Sequence, residues 1–269
     1  MPWEELKLTA LGDFHNGAEG FKPELLEKWA KEKAAAGYWF FGMGDYGELM
    51  ASGNRQRLAS ANLHDSSTTI LDRAARAATG DLVDILKSTK GRWMGMLEGN
   101  HYYIFDDGTT TDQMLCSELR APFLGTCGIV QVRFQKPDSR VSTTCDIWGH
   151  HGYGSAMTAG AVLNKLHRAV ESFEADLYFI AHHHRLITEK PARLYTTHSR
   201  HPKIVMRHKI LAVTGSFMAG YQQGSRYKGR AHGSYVEQGM MPPTALGAPE
   251  VSITPTTGPP VGLELRITT

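Results

Sequence analysis

The stretch Leu6-Lys7-Leu8-Thr9-Ala10-Leu11-Gly12-Asp13-Phe14-His15-Asn16-Gly17 decides how the rest of the chain is read. Residues 6–11 alternate as a short strand does, and the run breaks at Gly12 into a glycine-flanked loop that carries a carboxylate and an imidazole. The arrangement recurs. Tyr38–Phe41, an apolar aromatic run of buried-strand length, leads into Gly44-Asp45-Tyr46, and Trp93–Leu97 leads into Gly99-Asn100-His101. Cys145–Trp148 is followed by Gly149-His150-His151-Gly152, and Leu177–Ile180 by Ala181-His182-His183-His184. Helical stretches lie between. One opens at Pro23, with Leu25, Leu26, Trp29 and Ala30 at helical spacing and Gly37 at its C-cap. A second covers 66–88, with Gly80 as a dividing point, and a third covers 158–173, with Val162, Leu163, Leu166 and Val170 inward. Ile129–Phe134 adds a strand and Ile204–Val213 one or two. Strands alternating with helices predict an α/β fold.

Composition narrows the class. The 269 residues carry 29 Lys+Arg against 27 Asp+Glu, with 41% hydrophobic and 21% charged residues, which excludes a disordered chain, a collagen and a coiled-coil rod. The length predicts one domain over 1–269, with 185–269 forming a basic, then proline-rich, C-terminal segment packed on it. Six of the 12 prolines follow residue 241, which predicts an extended tail wrapped on the surface with a last strand over Leu263–Ile267. No run reaches the ~18 apolar residues of a membrane span, and no basic region followed by an apolar one marks the start for export. The three cysteines (Cys116, Cys127, Cys145) form no CxxC and predict a reduced, cytoplasmic setting and inert packing roles. Trp29, Trp39, Trp93 and Trp148 lie on regular elements and read as core.

In open α/β sheets ligands bind beyond the carboxyl ends of strands, so the five polar loops can converge on one site. Side chains at i and i+2 of an extended chain point the same way, which directs Asp13 with His15, and His182 with His184, onto common faces while His183 points elsewhere. Imidazole and carboxylate together suit Zn, Mn, Fe or Co better than Ca. Each piece alone has a bland reading: Asp-x-His as a capped turn, Gly-Asn-His as a turn, the triple histidine as a solvated loop. Order and repetition after strands lift the functional reading.

The series Gly-Asp-x-His, Gly-Asp, Gly-Asn-His, His-Gly and x-His-x-His, spanning residues 12–184, resembles the calcineurin-like metallophosphoesterase superfamily, and looks closest to its small single-domain branch of bacteria and their viruses. The resemblance implies a four-layer α/β/β/α sandwich of two mixed sheets flanked by helices. It implies a dinuclear centre of transition-metal ions (Mn, Fe, Zn, Ni or Co, with Mn favoured). Asp13, His15 and His184 would hold the first ion, Asn100, His151 and His182 the second, and Asp45 would bridge them. It also implies a phosphoesterase in which hydroxide generated on the metals attacks phosphorus, with His101 stabilising the phosphate or protonating the departing oxygen. His151 is chosen over His150 because it directly precedes glycine, and His150 is placed behind it near substrate. Two positions depart from the family pattern: Tyr102 stands where an acidic residue orients the preceding histidine, leaving Asp106 or Asp107 to do so, and Ala181 replaces a glycine. A viral source would place the chain in host cytoplasm.

A rival motif is Gly42-Met43-Gly44-Asp45-Tyr46-Gly47, which fits the dinucleotide fingerprint G-x-G-x-x-G with Asp65 about 20 residues on. It leaves the histidine motifs unexplained, and Gly53 interrupts any helix opened there. His64, His167, His198, His201, His208 and His232 belong to no motif. Residues 185–230 hold ten Lys+Arg and only Glu189 as an acid, a local +9 against −7 for the rest. The bland reading is a solvated hairpin; the sharper one is a positive wall beside the metals that attracts phosphate-bearing ligands, with Arg185 as a phosphate contact and Tyr195, Tyr221 and Tyr227 interleaved. The expected partners are a phosphate-ester small molecule or nucleotide, with nucleic acid as a further candidate and no membrane. Phosphodiester or nucleotide-type hydrolysis leads; a phosphomonoesterase, a nuclease and a non-catalytic scaffold are the alternatives.

Overall fold

The computed structural model describes residues 1–269 except 62, 157, 198–199, 228–229, 239 and 259–260, so His198, Lys228, Pro259 and Pro260 lie outside the described residues, as does the side chain of Tyr227. Two five-stranded mixed sheets form its centre. The first runs in the order β14 (Gly262–Thr268), β13 (Glu250–Thr256), β1 (Leu6–Leu11), β2 (Trp39–Gly42), β3 (Trp93–Met96), with β1, β2 and β3 parallel and β13 antiparallel to both neighbours. The second runs β4 (Cys127–Gln135), β5 (Ser142–His150), β6 (Leu177–Ile180), β10 (Ile210–Thr214), β7 (Leu186–Glu189), with β5, β6 and β10 parallel and both outer strands antiparallel.

Leu8 and Ala10 of β1, Phe41 of β2, Ile147 of β5, Phe179 of β6 and Ala212 of β10 meet between the sheets in one fully buried cluster. The rings of Phe41 and Phe179 lie 6.0 Å apart there. The other face of the first sheet buries Phe40, Trp93 and Met96 under α1 (Pro23–Ala35), α3 (Asp65–Leu86) and α4 (Thr111–Leu119). The other face of the second buries Trp148, Tyr178 and Leu211 under α5 (Ala159–Ser172). The result is the expected α/β/β/α sandwich. Strands covered on both faces need apolar side chains at every position, which is why Phe40-Phe41 and Tyr178-Phe179 read as continuous runs: consecutive side chains fill different layers.

The helices differ from expectation in two places. α3 runs through Gly80 without a break, because Ala75, Thr79, Leu82 and Leu86 bury one continuous face across it. α4 was not expected; its signal was the capping box Thr110-x-x-Gln113, in which Thr110 Oγ1 accepts from the Gln113 N–H and Gln113 Oε1 from the Thr110 N–H. α2 (Ser52–Ser60) is short and mostly exposed.

The proline-rich tail is not merely wrapped on the surface. β13 is inserted into the first sheet between β1 and β14, with Val251, Ile253 and Leu265 in the shared core. Pro255 is tolerated because β1 pairs only as far as Ile253, so the missing N–H falls where β13 has no neighbour on that side. The 204–213 run is two strands, β9 (Ile204–His208) and β10. β9 pairs with β8 (Ala192–Thr196) in a separate hairpin, while β11 (Arg226–Tyr227), β12 (Arg230–Ala231) and α6 (Tyr235–Gln238) follow β10. No described helix is long and apolar enough to cross a membrane.

Phe179→Ala tests the sheet-on-sheet core. It is expected to lower the unfolding free energy by about 3–5 kcal/mol in urea titration; a loss under about 1 kcal/mol would show that the ring does not fill that layer.

Candidate metal centre

The five polar loops meet at the carboxyl ends of β1, β2, β3, β5 and β6. The parallel ladder continues past the strands: the Asp13, His15 and Asn16 N–H groups donate to the carbonyls of Gly44, Asp45 and Tyr46 at 2.9, 3.1 and 3.0 Å. Ala181 N–H likewise donates to the His151 carbonyl at 3.0 Å. Potential ligand atoms gather in overlapping groups: Asp13, His15 and His184; Asp45, His151 and His182; and His15, Asp45 and His101. Asp45 thus belongs to both sides.

Its two oxygens have different partners. Oδ1 accepts from the Asn100 and His101 backbone N–H groups at 2.5 and 3.0 Å. Oδ2 faces the histidines, 3.2 Å from His151 Nε2, 3.8 Å from His15 Nε2 and 4.0 Å from His101 Nε2. Asn100 Oδ1 lies 3.0 Å from His151 Nε2 and 2.9 Å from His182 Nδ1. His15 Nε2 and His184 Nε2 are 3.0 Å apart.

These contacts bring together side chains that could hold a metal ion. His151 Nδ1 must be the protonated nitrogen, because it donates to the Met43 carbonyl at 2.7 Å, and His15 Nδ1 likewise donates to Glu48 Oε2 at 2.5 Å. Their Nε2 atoms are therefore the ones turned into the cluster; burial alone would lower both imidazoles, but Glu48 and Asp45 outweigh it, raising His15 and pushing His151 up to about 9. Asp13 is fully buried, its Oδ2 accepts from the His182 N–H at 2.8 Å, and its Oδ1 has no hydrogen-bond partner. Burial pushes the Asp13 carboxyl up to about 7. Burial works the same way on Asp45, yet the adjoining His151 and His15 hold that carboxyl well below its usual range. Burial, reinforced by neighbouring imidazoles, lowers His182 and pushes His184 down to about 3, keeping both in the neutral form that binds metals. Converging imidazole nitrogens and carboxylates, with an orphaned buried carboxylate oxygen among them, make a donor set that could hold divalent cations.

The backbone is bent to achieve this. Asp13, His15, Asp45, His182 and His184 all have φ between 50° and 68°, the left-handed region that costs non-glycine residues about 1–3 kcal/mol each. The extended i, i+2 argument therefore does not describe the geometry. Asp13 and His15 do meet, but through left-handed kinks, and His182 and His184 turn to different groups, with Asn100 and His15 respectively. His183 points elsewhere as expected, its Nε2 3.2 Å from Lys165 Nζ. Glycine is required at 99, where a Cβ would lie 2.1 Å from Asp45 N and Oδ1. Gly42 and Gly44 permit close approach to Met96 and Gly99 rather than a dinucleotide turn, and α2 begins only at Ser52.

Three expected contacts are placed differently. His101 is oriented by Glu48, whose Oε1 accepts from Nδ1 at 2.9 Å. Asp107, one of the two residues expected in that role, is exposed and bonded within its own turn to Thr109; Asp106 is exposed too. Burial of Glu48 is outweighed by the His101 and His15 hydrogen bonds, which hold its carboxyl down at about 2. Glu48 went unnoticed although it lies three residues beyond Asp45. His150 stacks on Trp148 and accepts from the Gly152 N–H, which turns it toward the α5 layer and away from the ligand groups. The charge segment is divided. Leu211 pairs with both Glu189 and Tyr178, and Val213 with Ile187 and Ile180, so β7 runs from the ligand end to the opposite end of the sheet before β8 starts. The β8–β9 hairpin with Arg193 and Arg207 is rooted at that far end, and Lys209 is buried against Glu174 and the Ala175 carbonyl. The chain leaves β10 at the ligand end, where Ser216 Oγ donates to the Asp13 carbonyl, and Lys22 Nζ donates to Gln222 four residues before Arg226. Arg185, half-buried, directly follows His184.

Two supports behind the Gly-Asn-His loop carry no sequence motif. Arg55 donates to the Met50, Asn100 and Tyr102 carbonyls at 2.5, 2.7 and 3.1 Å and lies 3.8 Å over the Tyr102 ring, giving that tyrosine a place. Asp112 Oδ2 accepts from the Gly99 N–H at 3.0 Å.

No family model and no curated protein matches this chain. Among solved structures it is similar to a single mutant of Vps29 from Entamoeba histolytica at 11% identity and a TM-score of 0.38, covering 98% of this chain and 100% of that one. It is similar to Vps29 from Chaetomium thermophilum at 10% identity and a TM-score of 0.34, covering 98% and 97%. Likeness at this level assigns no activity.

Glu48→Ala is expected to weaken retention of a bound transition metal about 10- to 100-fold in chelator competition, whereas Asp106→Ala and Asp107→Ala leave it unchanged. Equal effects of all three would remove Glu48 from its role. Burial pushes Asp112 up to about 7, so its folded-state carboxyl holds a proton more tightly than the unfolded one. Its contribution is favourable below about pH 4 and is lost as the pH rises to about 7. Asp112→Asn should remove that part of the stability slope in melting curves between pH 4 and 8; an unchanged slope would place the group elsewhere.

Proposed function

We propose that the chain is a dinuclear-metal-dependent phosphoesterase acting on phosphodiester or nucleotide-type substrates. The observation that carries this is the Asp45 carboxylate, one oxygen tied to the backbone of the Gly-Asn-His loop and the other turned toward histidines of both ligand groups. Asp13, His15 and His184 would hold one cation, Asn100, His151 and His182 the other, and Asp45 both. Two such ions, when bound, neutralise phosphoryl oxygens and supply hydroxide near neutral pH. His101 keeps Nδ1–H on Glu48 and turns Nε2 toward the cluster, 4.0 Å from Asp45 Oδ2, from where it would pass a proton to the departing oxygen. Glu48 also fixes His15, so one carboxylate sets the orientation of a ligand and of the proton donor together. The superfamily resemblance supports the same reading, including its small single-domain branch and manganese as the preferred ion. Three unpaired cysteines suit a cytoplasmic setting.

A phosphomonoesterase is the second reading, because the ligand set serves either ester. The nuclease reading loses the hairpin cations as a wall beside the ligands and keeps Arg185, which directly follows His184. A scaffold without catalysis would not need every ligand position filled.

Purified protein is expected to carry close to two transition-metal ions, and Asp45→Asn to lose both the metal and the hydrolysis of bis-p-nitrophenyl phosphate. An active Asp45→Asn variant would sink the bridging role. Rates on that diester, on p-nitrophenyl phosphate and on a labelled DNA strand rank the diesterase, monoesterase and nuclease readings.

A further inference from the structure

The loop that leaves β5 carries an exposed aromatic ring two residues beyond His151 of the ligand cluster. Tyr153 follows the ligand His151 by two residues, so their Cα atoms lie within about 7 Å of each other. It is flanked by Gly152 and Gly154, with φ of 113° and 66°. Gly152 is required, since a Cβ there would lie 2.8 Å from both the Ala181 carbonyl oxygen and the His182 Cβ. The loop is thus packed directly against the His182 loop of the cluster.

Tyr153 is 61% exposed, yet its position is determined. Lys165 of α5 reaches across, donates to the Tyr153 carbonyl and sits 4.5 Å from the ring centroid. The His150 ring meets its edge at 6.4 Å. One face of the phenol ring is thereby backed by a cation and the other left to solvent. Lys165 Nζ also lies 3.2 Å from His183 Nε2, and His183 packs edge-on to His182 at 5.4 Å. A lysine ammonium has three donors; these two contacts leave one for a ligand. A large apolar ring held rigid and exposed beside a buried polar centre does not contribute to the core, and a flat, cation-backed face is a stacking platform.

We propose that Tyr153 and Lys165 form a base-stacking subsite, which takes the nucleobase of a nucleoside phosphate ester while the phosphate lies at the ligand cluster. The assignment rests on the phosphoesterase reading and specifies its substrate as a nucleotide derivative rather than an alkyl or sugar phosphate. Tyr153 supplies the face, and Lys165 fixes the ring from behind and offers its remaining N–H to a base carbonyl, a ring nitrogen or a ribose hydroxyl. No bond is made or broken at this subsite.

The test is equilibrium binding to the metal-loaded protein of two non-hydrolysable phosphonates, one on adenosine and one on ribose alone, with metal content measured in parallel. Wild type should bind the adenosine compound about tenfold tighter, as one stacked base provides. Tyr153→Ala should bring that ratio close to one without changing ribose phosphonate affinity or metal content, and Tyr153→Phe should preserve it. A wild-type ratio near one, or a ratio that survives Tyr153→Ala, overturns the subsite and leaves the phosphoesterase reading standing. Failure of metal-loaded wild type to bind either phosphonate overturns both.

Discussion

The Asp45 carboxylate is the contact on which the site depends. Its Oδ1 joins the loop after β2 to the loop after β3 through two backbone N–H groups, and this orientation leaves Oδ2 facing His15 and His151. Nothing larger than glycine fits at 99, because a Cβ would enter Asp45 itself. Asp112 then holds the Gly99 N–H from behind, and Arg55 gathers the Asn100 and Tyr102 carbonyls from the side. These contacts turn the Gly-Asn-His loop toward one geometry, which is how a set of short polar loops is held rigid around the cluster.

That geometry opposes the fold's own preferences. Five cluster residues lie in the left-handed region, Asp13 is buried with an unpartnered oxygen, and imidazoles and carboxylates crowd together. Strain of this kind persists only where surrounding structure over-determines it. The sandwich supplies that constraint: Phe41, Leu97 and Phe179 fill the layer between the sheets, Gly149 lies so close to Phe41 that a Cβ would come within 2.5 Å of its ring, and the ladder of β1 and β2 continues into the loops. A cation held there would act on the same balance from the other side, compensating the buried carboxylates.

The layers and the cluster were legible because both leave local traces. Continuous apolar runs such as Leu177–Ile180 mark strands covered on both faces, and glycine beside Asp, Asn or His after each strand marks a loop that must turn sharply and carry a ligand. What was hidden depended on partners distant in sequence. Glu48 has no motif of its own, and its meaning comes from His101, 53 residues away. Arg55 stands in a mostly exposed, weakly patterned helix and matters only because the Asn100 carbonyl arrives beside it. β13 was obscured by Pro255, since composition shows a proline but not that the neighbouring strand stops short of it. The i, i+2 rule correctly joined Asp13 with His15 for an incorrect reason, as it assumes the extended chain that φ near 50° abolishes.

The charge segment shows how adjacency in sequence misleads about adjacency in space. Arg193 lies nine residues after His184, close enough to suggest a shared site. Between them β7 runs the length of the sheet, four residues at about 3.4 Å each, or roughly 13 Å. That exceeds the ~8 Å over which exposed charges act at physiological ionic strength. The hairpin's cations are therefore screened from the ligand cluster, and the phosphoesterase we propose would have to attract its anionic ester without them. On that proposal, recognition of the organic part of the substrate would come from near the loops, where a ring fixed between two left-handed glycines is better placed than arginines rooted at the far end of the sheet.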